Sequence, residues 1–323
     1  MFDDRDPLHR LAPVAARRVE PVMGTIVSID VRDPAVPPET IDAVFTQLHD
    51  IDARFSTYRL DSEISRLARG ELAEADCSAD VRHVLAACDH LQAVTGGAFD
   101  ARHCGAEGTL DPSGFVKGWA VEEAAWLIDS AGGRNYWINA GGDVVVRGNA
   151  APGRAWRVGI RHPDEADKVA AVLAVSDRAV ATSGAYERGD HIAYPRTGRA
   201  PTGLRSVTVV GPGLAFTDAY ATAIFVMALD GLPWLAAHPD YEAYAITSDD
   251  RAVWTAGMER YLALDAWPRQ FAPATPPAGR RTTKRAPPSA RLVASIRPPW
   301  RSTIQAAIAS PNPDPPPGAP CAR

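Results

Sequence analysis

The sequence of 323 residues is poor in cysteine, and the cysteines it has follow no metal-binding or redox spacing. Cys77, Cys88, Cys104 and Cys321 form no CxxC pair, so we expect reduced thiols rather than a disulfide or zinc framework. The sequence also lacks GxGxxG, GxxxxGK[ST] and HExxH. These absences exclude the common signatures of dinucleotide-binding, P-loop and zinc-protease sites.

Long apolar runs are missing as well. No uninterrupted apolar stretch of about 18 residues occurs, so we expect no membrane span. The first 21 residues begin acidic, contain no apolar core of a signal peptide and include no lipoprotein-type cysteine. We therefore expect a cytoplasmic protein.

Charge and proline are distributed unevenly along the chain. The net charge is −5, but residues 271–323 carry eight Lys or Arg and one acid, together with 13 of the 28 prolines. The remaining body is therefore acidic, which argues against nucleic acid as a partner. We expect a flexible N-terminus at 1–18, a functional domain at 19–270, and a disordered, basic, proline-rich tail at 271–323.

The periodicity of the body predicts an α+β fold, with a mixed or antiparallel sheet core and flanking helices. Strands outnumber helices in the middle of the chain, and helices flank it on both sides. The predicted helices are Glu39–Phe55, a short one capped by Asp61 or Ser62, one through Val81–Leu91, and one reaching Ile128. The predicted strands are Val22–Val31, two within Tyr136–Gly148, Trp156–Ile160, Val169–Val175, Ala179–Thr182, Ser206–Gly211 and Tyr244–Ser248.

The segment Ala215–Leu229 predicts a mostly buried helix, with Asp218 and Thr222 on one face near its N-terminus. A carboxylate and a hydroxyl on a buried face are oxygen ligands of the kind that Mg²⁺ prefers. The alternative is structural: Asp218 could cap the helix and Thr222 could bond back to a backbone carbonyl. The helix alone favours the structural interpretation.

Four other features suit a binding site, although each also has an ordinary explanation. Gly141 and Gly142 in NAGGD separate a strand from an acid, yet paired glycines often only bend a strand. Tyr58 in a polar loop could stack on a planar ring or simply pack. His191 could act as a base near neutral pH, whereas most loop histidines are only solvated. The DPSG sequence at 111–114 could be an ordinary turn.

Taken together and in this order, these segments resemble the ApbE family of FAD:protein FMN transferases, over roughly residues 20–250. The matching segments are MGT at 23–25, FSTYRLDSEISRL at 55–67, GGAFD at 96–100, LDPSGFVKGWAV at 110–121, NAGGD at 139–143, ATSGAYER at 181–188, HIxxPRTG at 191–198, and SVTVVG…TDAYATA at 206–223.

The resemblance implies an enzyme that binds FAD and Mg²⁺, transfers the FMN half to a Ser or Thr hydroxyl of an acceptor protein, and releases AMP. By match, the metal ligands are Asp218, Thr222 and the backbone carbonyl of Gly114. His191 is the expected base, or a group that orients the diphosphate, and Asp218 is expected to be essential for catalysis. The expected FAD contacts are Met23, Tyr58, Ala98, Phe99, Asp100, Asp111, Lys117 and Ile192.

The sequence departs from the family pattern in three respects. Tyr194 replaces the usual Asp before PRTG, the segment between GAFD and LDPSG is short, and the usual leader is not visible. Two alternatives to the transferase therefore stay open. One is a Mg²⁺-dependent FAD pyrophosphatase, in which water replaces the protein hydroxyl, and the other is a flavin-binding protein without catalysis.

Overall fold

The computed structural model describes residues 14–104, 108–165, 168–184, 201–263 and 293–296. The helices are α1 (Pro38–Phe55), α2 (Glu63–Ala68), α3 (Ala79–Val94), α4 (Ser113–Ser130), α5 (Leu214–Met227) and α6 (Gly231–Leu235). The strands are β1 (Ala16–Val22), β2 (Thr25–Val31), β3 (Tyr136–Ala140), β4 (Asp143–Arg147), β5 (Trp156–Arg161), β6 (Val169–Val175), β7 (Arg178–Gly184), β8 (Leu204–Gly211), β9 (Glu242–Thr247), β10 (Ala252–Trp254) and β11 (Val293–Ile296).

Nine of these strands form one sheet in the order β1-β2-β3-β4-β7-β8-β9-β10-β11, and β5 pairs with β6 in a separate hairpin. Every described strand pair is antiparallel. The predicted α+β class is confirmed, and the described sheet is the antiparallel form of it.

The main sheet is covered on both faces. Successive side chains of a strand point to opposite faces, and on the inner strands both sets are buried. One set of side chains packs with the helices into the larger core, and it includes Ile138, Val145, Ala181, Val209 and Ala245. Their strand neighbours pack against the β5–β6 hairpin, and they include Trp137, Val146, Val180, Val210 and Tyr244. The residues of β4 and β7 that point to the helix-covered face of the sheet therefore face α5.

The N-terminal strand differs from the prediction. The segment Val22–Val31 is not one strand, because a two-residue turn at Met23–Gly24 joins β1 to β2. Both turn residues have positive φ, as a tight hairpin turn requires. Residues 16–18, which were expected to be flexible, belong to β1. The alternating, half-exposed pattern of this edge strand carries too weak an apolar signal to be recognised from sequence.

Helix α5 is central to the core, where it packs against α4, β7 and β8. Among the described residues, the stretch Leu214–Leu235 alone is long and apolar enough to cross a membrane by length and composition. Of the most apolar 18-residue window of this stretch, 67% is buried inside the protein. The apolar composition is that of a core helix, which passes the same test of length and hydropathy.

Part of the segment predicted as a disordered tail has regular structure. Strand β11 pairs antiparallel with β10 at the edge of the main sheet, with Ala252 opposite Ile296 and Trp254 opposite Val293. The expectation of disorder does not hold for these four residues. A strand can pair with an open sheet edge through its backbone groups alone, so the apolar pattern of the sequence did not predict β11. The other residues of the predicted tail lie outside the described ranges, and the domain boundary at 270 stays a prediction.

Candidate functional site

Helix α5 holds Asp218 and Thr222 on a buried face, as its sequence predicted. Asp218 is only 4% exposed and lies inside the helix, whose N-cap position is Gly213. The capping alternative for Asp218 is therefore not observed. The hydroxyl oxygen of Thr222 lies 3.3 Å from that of Ser183 on β7. The Thr222 and Ser183 hydroxyls thus meet between α5 and β7, one helical turn along α5 from Asp218.

Helix α4 supplies a cation to the same place. The Lys117 ammonium lies 3.4 Å from Oδ2 of Asp218. The two helices can come this close because α4 has a glycine where it meets the start of α5. A Cβ on Gly118 would lie 2.7 Å from the carbonyl oxygen of Leu214 and 2.8 Å from Cα of Ala215. Gly118 therefore permits the contact that brings Lys117 to Asp218.

The N-terminus of α5 is capped by a side chain from α4. Oε1 of Glu122 accepts a hydrogen bond from the backbone N–H of Ala215 at 2.9 Å. Burial raises the pKa of Glu122 above its ordinary value, although the hydrogen bonds from the Ala215 and Leu214 amides and the charge of Arg147 act in the opposite direction. One face of α4 therefore both approaches α5 and satisfies its first N–H groups.

A second buried carboxylate, Asp143, completes the cluster. It is the first residue of β4 and is 1% exposed. Its Oδ1 accepts a hydrogen bond from the backbone N–H of Thr182 at 3.0 Å, and its Oδ2 forms an ion pair with the Lys117 ammonium. The Gly-Gly pair of NAGGD forms the turn between β3 and β4, and Asp143 follows this turn directly, paired with Ala140.

The charge and donor set of this cluster suit a hard divalent cation. Two buried carboxylates, Asp143 and Asp218, face one ammonium, that of Lys117. The Thr222 hydroxyl adds a neutral oxygen. Within the described ranges, no three His, Cys, Asp or Glu side chains group as a metal cluster. Such a sparse oxygen set is typical of Mg²⁺ sites that are completed by water and substrate phosphates, so the residues present fit the expected metal.

Four predicted FAD contacts, Ala98, Phe99, Asp100 and Asp111, come together with the predicted metal ligand Gly114 at the N-terminus of α4. The backbone N–H of Asp111 donates to the carbonyl of Ala101 at 2.8 Å, which joins the two segments. The buried Phe99 ring contacts Gly114, where a Cβ would lie 3.2 Å from Cε2 of the ring. Oδ1 of Asp111 accepts the N–H of Ser113 at 2.9 Å. Ala98 is partly buried beside this group.

Asp100 is held as a carboxylate by its neighbours. Burial alone would raise the pKa of Asp100, but hydrogen bonds from Gln92, the Arg102 amide and His103 together lower it below the ordinary value. The Gln92 side-chain nitrogen lies 2.7 Å from Oδ2, and the Arg102 amide nitrogen lies 2.8 Å from Oδ1. Asp100 is therefore negatively charged and fixed in orientation near neutral pH.

Met23 lies at the same end of the sheet as Asp143. It adopts φ of 55° in the β1–β2 turn, a left-handed conformation that is uncommon outside glycine. The N–H of Gly141 donates to the carbonyl of Ile26 at 3.1 Å, so the β1–β2 and β3–β4 turns are adjacent. The β1–β2 turn therefore places Met23, a predicted FAD contact, next to the turn that leads to Asp143.

Tyr58 follows α1 and is 93% exposed, so the described protein provides little packing for its ring. Three residues earlier, Phe55 packs edge-on against Trp119 of α4, with ring centroids 5.5 Å apart. The loop that carries Tyr58 therefore begins beside the helix that carries Lys117. Ser62, rather than Asp61, caps the following helix α2 by accepting the N–H of Ser65 at 3.0 Å.

Three predicted positions, His191, Ile192 and Tyr194, lie outside the described residues. Their roles stay predictions. The flanking strands β7 and β8 pair with Gly184 opposite Ser206.

The residue-by-residue prediction missed Asp143, Ser183 and Glu122. Asp143 and Ser183 stand inside the matched segments NAGGD and ATSGAYER, but neither was given a role. An acid directly after Gly-Gly at the start of a strand was the available signal for Asp143. Glu122 carries no signal of its own, because the group that it caps is more than 90 residues away, at Ala215.

Comparison with known proteins agrees with this architecture. A sequence model of the ApbE family matches residues 23–106 and 102–245. The FAD:protein FMN transferase of Haemophilus influenzae is 26% identical over 288 residues, covering 70% of this chain and 82% of the relative. That of Rhodobacter capsulatus is 37% identical over 153 residues, covering 45% of this chain, and the chain spans only 29% of that relative's length.

Solved structures share the fold. The flavin transferase ApbE from Vibrio cholerae superposes with a TM-score of 0.68 at 23% identity, covering 76% of this chain and 99% of that one. The apo form of the Pseudomonas stutzeri flavinyl transferase ApbE gives a TM-score of 0.65 at 20% identity, covering 78% and 98%. The fold and the site thus define an α+β protein with a buried, acidic oxygen cluster. The chain belongs to the ApbE family.

Proposed function

We propose that this chain is an FAD:protein FMN transferase that requires Mg²⁺. The observation that carries the proposal is the cluster between α4, α5 and the sheet, in which the buried carboxylates of Asp143 and Asp218 lie beside the partly buried Lys117 and Thr222. The two relatives described above are named for this activity. Membership of the family and a cluster suited to a divalent cation support the same reaction.

In the proposed reaction, the hydroxyl of a Ser or Thr in an acceptor protein attacks the phosphorus of the FMN half of FAD. The bond from that phosphorus to the bridging oxygen breaks, and AMP leaves. The hydroxyl proton passes to a base and finally to solvent or to AMP. A Mg²⁺ held by Asp218, Thr222 and the carbonyl of Gly114 would offset the charge of the diphosphate.

The chain's own residues have distinct tasks in this reaction. Lys117 presents a cation beside the metal site, where it can meet the diphosphate. Phe99 and the backbone at Gly114 bound one wall of the FAD site, and Tyr58 offers an exposed ring for stacking. His191 is the proposed base, and its substitution by alanine should lower kcat about 10²–10⁴-fold while FAD affinity stays nearly intact.

The proposal is tested by incubating the full chain with FAD, Mg²⁺ and a protein that carries a short Ser- or Thr-containing flavinylation motif. The expected result is stoichiometric AMP and flavin-labelled acceptor, with neither formed when the acceptor hydroxyl is removed by substitution with alanine. Equal AMP release without an acceptor would identify the pyrophosphatase alternative. Flavin binding without AMP in any mixture would identify a non-catalytic flavin protein.

A further inference from the structure

The proposed reaction gives Asp143 no task of its own, yet both of its carboxylate oxygens have a partner within this chain. Oδ1 accepts the Thr182 N–H at 3.0 Å, which ties β4 to β7. Oδ2 forms the ion pair with the Lys117 ammonium. The side chain is 1% exposed, so it is enclosed by protein on all sides. Asp143 therefore joins the end of the Lys117 side chain on α4 to β4 and, through Thr182, to β7.

The position of Lys117 matters because the same ammonium also lies near Asp218. It forms the ion pair with Asp143 and lies 3.4 Å from Oδ2 of Asp218. An ammonium and a divalent cation compete for a carboxylate, since both are attracted to the same negative charge. If Lys117 formed its ion pair with Asp218 alone, it would neutralise the negative charge that attracts the divalent cation.

We propose that Asp143 is a positioning residue that holds Lys117 away from Asp218 and so keeps Asp218 available to a divalent cation. Lys117 shares its charge between the two acids in the metal-free protein, and it stays with Asp143 when the cation binds. This role rests on the proposed metal site, but it does not depend on the identity of the acceptor protein.

A purely structural ion pair would behave differently. Replacement of Asp143 by Asn keeps an oxygen for the Thr182 N–H and removes only the charge that faces Lys117. If the pair merely stabilises the fold, Asp143→Asn lowers stability and leaves cation affinity unchanged. If Asp143 restrains Lys117, the same change releases the ammonium toward Asp218 and weakens cation binding.

The test uses the full chain without FAD and measures binding of Mn²⁺, which suits the same oxygen ligands as Mg²⁺, by electron paramagnetic resonance of the free ion. Titration calorimetry with Mg²⁺ repeats the measurement. We expect Asp143→Asn to weaken binding about tenfold, equivalent to about 1.4 kcal/mol. We expect Lys117→Met in the Asp143→Asn background to restore the affinity at least to that of the unchanged protein.

Two controls accompany the series. Asp164→Asn removes one negative charge at an exposed ion pair with Arg205, and it measures the effect of net charge alone. Circular dichroism and thermal unfolding verify each fold. The double variant removes both charges of the Asp143–Lys117 pair, so its cation affinity can still be compared with that of the unchanged protein if Asp143→Asn is unstable.

Unchanged affinity in a folded Asp143→Asn protein would overturn the proposal. Loss of binding that Lys117→Met fails to restore would also overturn it and would make Asp143 a direct metal ligand. Absence of Mn²⁺ and Mg²⁺ binding by the unchanged protein would overturn it too. If the binding series holds but no FMN transfer is found with any acceptor, the proposed function fails while the positioning role stands.

Discussion

The ammonium of Lys117 on α4 lies 3.4 Å from the carboxylate of Asp218 on α5. This distance depends on how the two helices pack, because α4 also supplies the glycine that admits the first turn of α5 and the carboxylate that caps it. The charged cluster is therefore positioned by the packing of two largely buried helices. Changes to the packing of α4 on α5 should reach the site even where they contact no ligand.

Asp218→Asn keeps the shape of the side chain but removes the negative charge that attracts a hard cation. We expect FMN transfer to fall ~100-fold or more, since metal stabilisation of a phosphoryl transition state amounts to several kcal/mol. We also expect the fold to survive, because Lys117 keeps its ion pair with Asp143. Initial rates at limiting Mg²⁺ and thermal unfolding give the two readouts.

The matched control for this change is Asp230→Asn, which removes an exposed carboxylate just beyond the end of α5. It should leave both rate and Mg²⁺ dependence unchanged. An Asp218→Asn protein with the full rate at limiting Mg²⁺ would contradict the assignment of Asp218 as a metal ligand.

Gly118→Ala places a methyl group 2.7 Å from the Leu214 carbonyl oxygen and 2.8 Å from Cα of Ala215. Both neighbours are backbone atoms, so the helices must separate. We expect the free energy of unfolding to fall by ~1–3 kcal/mol, as for other overpacked cores, and cation affinity to fall with it. Chemical denaturation and Mn²⁺ titration measure the two effects. A free energy of unfolding equal to that of the unchanged protein would contradict the prediction, because it would show that α4 can shift away from α5 without destabilising the fold.

The fold class and the central helix were predictable because they depend on patterns that are local in sequence. Helix α5 was predicted from its apolar period, and the shared face of Asp218 and Thr222 from their spacing within it, whereas their role as metal ligands came only from the family resemblance and stays a prediction. Asp143 and Glu122 gain their roles from contacts with residues far away in the chain, at Thr182 and Ala215. No local pattern encodes such contacts. The β1–β2 turn was missed because Met23 is not a residue that normally marks a left-handed turn.

Tyr58→Ala should raise the KM for FAD while kcat changes little. The exposed ring can stack on flavin or adenine both before and during phosphoryl transfer. Its removal therefore weakens the ground state and the transition state equally, which changes KM rather than kcat. Tyr58→Phe keeps the ring and should behave as the unchanged protein does. Steady-state kinetics with varied FAD separate the two parameters. A fall in kcat at unchanged KM would exclude a role limited to stacking.

Glu122 gives a prediction about the pH dependence of stability, because burial raises its pKa in the folded protein. A raised pKa means that the folded state binds a proton more readily than the unfolded state does. Relative to a Glu122→Gln variant, which cannot titrate there, the unchanged protein should gain stability as the pH falls from neutral through the raised pKa toward the ordinary value of 4.5.

Glu122→Ala removes the acceptor for the Ala215 N–H and should lose ~1 kcal/mol across this pH range, as for loss of other helix caps. Urea denaturation of the three proteins at a series of pH values measures both effects. If the unchanged protein instead lost stability relative to Glu122→Gln as the pH fell, the amide hydrogen bonds would outweigh burial. The pKa of Glu122 would then be lowered, and its carboxylate would stabilise α5 at neutral pH through its charge.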